Sequence, residues 1–386
     1  MRRIYHIAAR ECGILFKNPI YLFCMVVFPL IVIFFFTSLM QEGQPENLPV
    51  GVVDLDNTST TRKLTQKLDA FQSTKVVAHY PNINEARRAI QRNEIYGFIY
   101  FPKNTTSKLI ASRQPKISFY YSVASITSGS MIFRDFKTIS LLGSASVSSA
   151  KLSALGKTSD EIMAFLQPIA IDLHPLNNPE VNYNVYLSTS LIPGCLMLFF
   201  FLITAYALGT ELKFNTSKKW MALADNNITV ALIGKLLPHF LIHLTIMAIY
   251  AYYLYVVLKF PHAGPIYNII LLNVLAVLSG MGFGIFAFGI MPSLRMSMSI
   301  CSLWAALSFS AMGTTFPIAA IDPMLQPITY MFPLRHYFMI YQTSIFNDYP
   351  LADAWIYIGS LIIFAALPLL VIHHIKKVML TYVYIP

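Results

Sequence analysis

Three groups of residues in this sequence have types and spacings that chemistry could use. His239 and His243 stand four apart, with Lys235 one turn earlier, so on a helix all three share a face. An HxxxH pair can grip zinc, but a zinc peptidase also needs Glu directly after the first His as its base, and Phe240 stands there. Inside an apolar run the pair reads as structural or cavity-lining, with a metal or proton relay as the alternative. Asp54 and Asp56, in VVDLDNTS, lie at i and i+2 on one face of a strand. Their run lacks the glycine and distal Glu of a calcium loop, so they are expected to end a strand and cap a helix. Arg335 and His336, with Asp322 upstream, are polar groups in a Pro-broken apolar stretch. They would gate a passage or pair with lipid headgroups.

No phosphate loop of the form GxxxxGK(S/T) occurs, and neither do GxSxG, a kinase signature or a dinucleotide-binding fingerprint. No catalytic residue, metal site or cofactor is therefore expected in this chain. Aromatic residues concentrate in two apolar runs, as Phe199, Phe200, Phe201 and Tyr206, then Trp304 and Phe309, the latter with Met312 and several serines. Such faces mostly pack or meet lipid, but they are also what a cavity for a bulky amphiphile needs.

Between two long apolar runs lies a polar island, Glu211–Lys235, which carries Lys213, Lys218, Lys219 and Lys235. Thr216 or Ser217 can cap a short helix, Ser217–Ala224, with Trp220, Leu223 and Ala224 on one side and Lys218 and Lys219 displaced from it. Asp225–Asn226–Asn227 stop it. An exposed Trp beside a Leu would anchor in a groove on a partner protein, or alternatively lie in a membrane interface.

The elements that must position these groups are membrane helices. The chain is 56% hydrophobic and only 12% charged, about half the charge of a soluble domain at roughly 25%. Its net charge of +10 is spread without a basic cluster, so nucleic acid is not an expected partner. The four cysteines lie at or inside apolar runs, and the polar stretch 41–186 has none, so its fold needs no disulfide. The first apolar run is long for a signal peptide and lacks a convincing cleavage site, so it reads as retained.

Residues 1–17 hold an amphipathic helix, with Ile4, Ile7, Ala8, Cys12, Leu15 and Phe16 opposite Arg3, His6, Arg10, Gly13 and Lys17. The first span, 18–40, carries Pro29 in its middle, which should kink it. An α/β domain follows over 41–186, with strands at Leu48–Asp56, Lys75–His79, Tyr96–Phe101 and Ile117–Tyr121 alternating with helices. Five further spans are placed in 187–375, near Leu187–Leu208, Thr229–Leu258, Tyr267–Met291, Ser297–Ile318 and Ala354–Ile375. They enclose the loop 211–235 and a half-helix region, 319–353, broken by Pro327 and Pro333; 376–386 form a tail. With the N-terminus inside, short cytoplasmic segments carry eleven basic residues against two outside. The expectation is an α-helical membrane protein of six transmembrane helices, with cytoplasmic termini and an inserted extracytoplasmic α/β domain.

This plan resembles the permease subunit of type-2 (type V) ABC exporters, in the bacterial multidrug or efflux branch with a large external domain after the first span. The resemblance covers essentially the whole chain and rests on VGVVDLDNTSTTRKL and, most specifically, on the island. There Gly209–Thr210–Glu211, Leu223, Gly234–Lys235 and Leu236–Leu237–Pro238 match the family's pattern. The chain lacks the arginine usual beside the acid and has Ala224–Asp225–Asn226 where a proline is usual. The resemblance implies a bacterial inner-membrane export permease for an amphiphile, drug-like or lipid-like. It implies a coupling helix on which Glu211, Lys218, Lys219, Trp220, Leu223 and Lys235 meet a separate cytoplasmic subunit that binds ATP and Mg. It also implies a second permease copy, and leaves room for a periplasmic adaptor and an outer-membrane channel. Phe199, Phe200, Trp304, Phe309 and Met312 would line the path, and Arg335 with His336 would gate it. The alternative is a mechanotransmitter that moves its external domain and carries nothing.

Overall fold

The computed structural model describes residues 2–111 and 113–381, so residues 382–386 of the expected tail lie outside the described residues. The backbone forms two compact units, Met1–Gln41 with Pro175–Pro386, and Glu42–His174. The first begins with α1 (Arg2–Lys17), whose Ile7, Glu11 and Leu15, one turn apart, form its buried stripe. Asn18 then turns the chain, accepting from Ile20 N and placing Pro19 at the first position of the next helix, α2 (Pro19–Leu39). The irregularity expected at Pro29 takes the form of a π turn over Phe23–Val27, just before it. Proline has no N–H to offer the preceding turn, and a π turn is one way a helix accommodates that loss.

In the second unit, β1 (Leu48–Asp54), α3 (Ser59–Asp69), β2 (Thr74–His79), α4 (Ile83–Gln91), β3 (Gly97–Phe101), α5 (Thr105–Ile110) and β4 (Ser118–Tyr121) precede α6 (Ile126–Ala154) and α7 (Ser159–Leu166). The sheet order is β2-β1-β3-β4, with β1 parallel to both neighbours and β4 antiparallel at one edge. The two-residue period of β1 sends Val50 and Val52 to a core with Leu68, Phe136 and Ile139. It sends Val53 to a second core with Ala86, Ala89 and Phe98. Thr58 and Asn82 cap α3 and α4. Asp54 accepts from Asp56 N and Asn57 N, while Asp56 accepts from Thr58 and from both the amide and hydroxyl of Thr106. The pair therefore closes the strand and ties it to α5, a helix the sequence pattern did not announce.

The first unit resumes with α8 (Tyr183–Lys213), α9 (Ser217–Leu223), α10 (Ile228–Val257), α11 (Ile266–Ile290), α12 (Leu294–Ala311), α13 (Pro333–Ile340) and α14 (Leu351–Thr381). Among the described residues five helices, α2, α8, α10, α11 and α14, are long and apolar enough to cross a membrane, against the six expected. The expected span Ser297–Ile318 stops at Ala311, because Gly313 turns the chain at φ +98° and Pro317 follows. Its helix, α12, is short and rich in serine. The half-helix region contains 3-10 turns at Ile318–Ala320 and Gln326–Met331, then α13, which runs on into a π turn at Tyr341–Phe346. Pro327 and Pro333 each stand in the first turn of their segment, where a missing N–H costs nothing. The core is built around α8, which packs against α2, α11 and α12.

Candidate functional site

Lys235 lies two turns into α10 and is fully buried. The preceding Gly234 lets α1 lie against this turn, since a Cβ there would stand 2.8 Å from Ile7 Cβ and 3.2 Å from Ile4 O. That approach brings the acid on the buried stripe of α1 to the lysine, and Lys235 Nζ donates to Glu11 Oε2 at 2.7 Å. The same ammonium donates to Glu211 Oε1, at the end of α8, at 2.8 Å. Arg10 adds a fork to Glu211, Nη1 to Oε1 at 2.7 Å and Nη2 to Oε2 at 3.1 Å. His239, one turn after Lys235, donates from Nε2 to Glu11 Oε1 at 3.0 Å.

Two carboxylates and two cations thus balance inside the protein and join α1, α8 and α10, with His239 completing the hydrogen bonds. Burial pushes the Glu11 carboxyl up, but the His239 hydrogen bond and the Lys235 charge outweigh it and hold Glu11 below its ordinary range. Thr216, at the N-cap position of α9, donates its hydroxyl to the Glu211 carboxylate, and its side chain accepts no capping bond from a helix N–H. Arg3 meets Asp225, just beyond α9, at 2.8 Å on the exposed side. The short helix is therefore tied to the cluster at its start and to α1 just beyond its end.

Trp220 corrects the expectation of an exposed docking anchor. It is fully buried, with Met221 and Ala224, and the Lys235 ammonium lies 5.7 Å from its ring. On so short a helix the apolar side turns inward because α1, α10 and α14 are there to cover it. What remains outside is Lys218, Lys219 and Leu223, together with Phe214, which is 63% exposed. Sequence reasoning missed Arg10, Glu11, Thr216 and Phe214. The arginine missing beside Glu211 in sequence is supplied in space by Arg10, 201 positions away.

His243 is buried against the Phe200 ring, with centroids 4.6 Å apart. No group of three or more His, Cys, Asp or Glu among the described residues could hold a metal. Of the expected path residues, Phe200 and Met312 lie in the hydrophobic core of the first unit, with Trp304 and Phe309 packed against it. Phe200 is buried against His243 and Gly280, whereas Phe199 meets Phe28 of α2. Trp304 stacks on Phe283 of α11 and donates to Met331 O, and the ring of Phe309 fills the space over Gly194. Met312 is buried. Arg335 and His336 are also buried.

Residues 19–372 match the family described as ABC-2 family transporter protein. The chain belongs to this family. It is similar to the linearmycin resistance permease protein LnrN of Bacillus subtilis (strain 168), with 21% identity over 249 residues, 61% of this chain and 62% of the relative. The alignment thus spans less than two thirds of that relative's length. The ABC-2 permease domain thus covers most of the chain, which carries among the described residues five helices long and apolar enough to cross a membrane. The matched residues contain Glu211, Lys235 and His239, while Arg10 and Glu11 on α1 precede them.

Proposed function

We propose that this chain is the export permease of an ATP-driven transporter, and that the buried cluster of α1, α8 and α10 is the joint through which an ATPase drives the spans. The observation that carries the reading is Lys235 bridging Glu11 and Glu211 at 2.7 and 2.8 Å, with Arg10 and Thr216 on the same acid. A push on α9 reaches α8, α10 and α1 through short charge-assisted bonds, which keep their geometry better than exposed contacts do. Lys218, Lys219, Leu223 and Phe214 form the outer face offered to the ATPase, which binds ATP and Mg as a separate subunit.

On this reading α9 and both termini are cytoplasmic in a bacterial inner membrane, and the Glu42–His174 unit is extracytoplasmic. The helix α12 makes the sixth crossing, and its outward Ser299, Ser302, Ala306 and Ser310 face a second copy across the path rather than lipid. The substrate is an amphiphile, a reading supported by the resistance permease among its relatives. An adaptor and outer-membrane channel would meet the extracytoplasmic unit.

The test is co-purification and ATP hydrolysis in vesicles. Lys218→Glu with Lys219→Glu and Leu223→Asp should abolish recovery of the ATPase, whereas Lys235→Met should leave it bound but uncoupled. Recovery of the chain without any ATPase, with function intact, would overturn the proposal. The burial of Phe200 and Met312 favours a second reading, a mechanotransmitter with no path. It predicts that Phe200→Ala with Trp304→Ala spares function.

A further inference from the structure

Arg335 differs from the other buried charges of its unit. Glu11, Glu211 and Lys235 are paired, but Arg335, only 5% exposed, has Nε and Nη1 without an acceptor. No ion pair among the described residues includes Arg335. One face of its guanidinium lies over the Tyr330 ring, 4.5 Å from the centroid. Beside it, His336 donates from Nε2 to Tyr330 O at 2.8 Å, while its Nδ1 is buried without a partner. A cation–π contact compensates only part of the desolvation of a guanidinium, so the site is short of an anion.

The surroundings say what kind of anion. The segment Gln326–Met331 next to Arg335 exposes Ile328, Tyr330 and Met331, at 49%, 44% and 53%. An unpaired cation behind an exposed apolar rim complements a molecule with an acidic head and an apolar tail, and a small hydrated anion gains nothing from the rim. We propose that Arg335 anchors the phosphate or carboxylate head of an amphiphile, reached past Tyr330. This rests on the export reading, in which it fixes the acidic class of the substrate. Arginine suits the task because its fork stays charged and matches both heads.

The full chain in phosphatidylcholine nanodiscs is titrated with dodecyl phosphate, and binding is read as Kd together with the rise in Tm. Wild type should bind saturably and inorganic phosphate should not. Arg335→Gln should weaken binding at least tenfold, and Arg335→Lys should retain part of it. Without ligand, Arg335→Gln should melt at or above the wild-type temperature, because it removes an uncompensated charge; this also shows that the variant is folded. Equal binding by wild type and Arg335→Gln overturns the proposal. So does a ligand-free Tm that falls in Arg335→Gln, which would make Arg335 an ordinary structural partner. A change of oligomeric state in Arg335→Gln overturns it too, since the missing acid would then belong to a second copy. Phosphatidylglycerol in the nanodisc distinguishes two sources of the same chemistry. Suppressed dodecyl phosphate binding assigns the site to membrane phospholipid, and undiminished binding assigns it to the exported amphiphile. No ATPase enters this assay, so its failure and a failure of the export reading are separate results.

Discussion

Replacing Lys235 with Met keeps the length of the side chain and removes its charge. The change strips Glu11 of its 2.7 Å partner and Glu211 of its 2.8 Å partner, both inside the protein. Glu211 keeps Arg10, but Glu11 is left with only the His239 bond. Breaking a buried pair from one side costs about 3–5 kcal/mol, because the stranded charge stays desolvated. The cost falls on the docking of α1, whose hold on α10 otherwise rests on Ile7 over Gly234 and on Leu15. Hydrogen exchange at the amides of residues 7–15 should therefore speed up by about 10²–10⁴-fold, at roughly 1.4 kcal/mol per tenfold. Adding Glu11→Gln removes the stranded charge and should restore at least half of the protection, a coupling that a double-mutant cycle isolates. Unchanged exchange in Lys235→Met, or no recovery in the double variant, would mean that the cluster does not hold α1 in place.

Gly234→Val should push α1 off α10, since even a Cβ would stand 2.8 Å from Ile7 Cβ; the check is loss of ATPase stimulation with the spans still folded by circular dichroism. Trp220→Ala should destabilise the chain by about 3–5 kcal/mol as a buried large-to-small change, whereas Leu223→Ala should leave Tm within error and weaken only ATPase recovery. Glu11 titrates below its ordinary value of 4.5, so its contribution is complete above that value and is lost as pH falls through the depressed folded value. Exchange protection of α1 should accordingly hold down to about pH 4.5 and decline below it, and Glu11→Gln should flatten that decline. In the other unit, Asp56→Ala removes three acceptor contacts to Thr58 and Thr106 and should cost about 1 kcal/mol, discounted for partial exposure and read by chemical denaturation.

Much of the architecture was legible because its causes are local. About twenty apolar residues are needed to cross a bilayer, and the runs around Pro19–Leu39, Tyr183–Lys213 and Ile228–Val257 show that length directly. The two-residue period of Val50, Val52 and Val53 and the capping residues Thr58 and Asn82 likewise report on their own neighbours. The island at Glu211–Lys235 was visible as charge between such runs. Glu11 was visible only as an anomaly, an acid four residues from both Ile7 and Leu15 on the face that had to be buried. A carboxylate on that stripe demands a cation, and Lys235 inside an apolar run demands an anion.

What the sequence alone determined is therefore the place of most spans, the strand pattern of the sheet unit and the position of the charged loop. Tertiary structure decided that Glu11 and Arg10 meet Lys235 and Glu211 across more than two hundred residues. It also decided that Trp220 faces inward. Periodicity states which face of a helix is apolar, but only the neighbouring helices determine whether that face is covered by the chain itself or left for a partner.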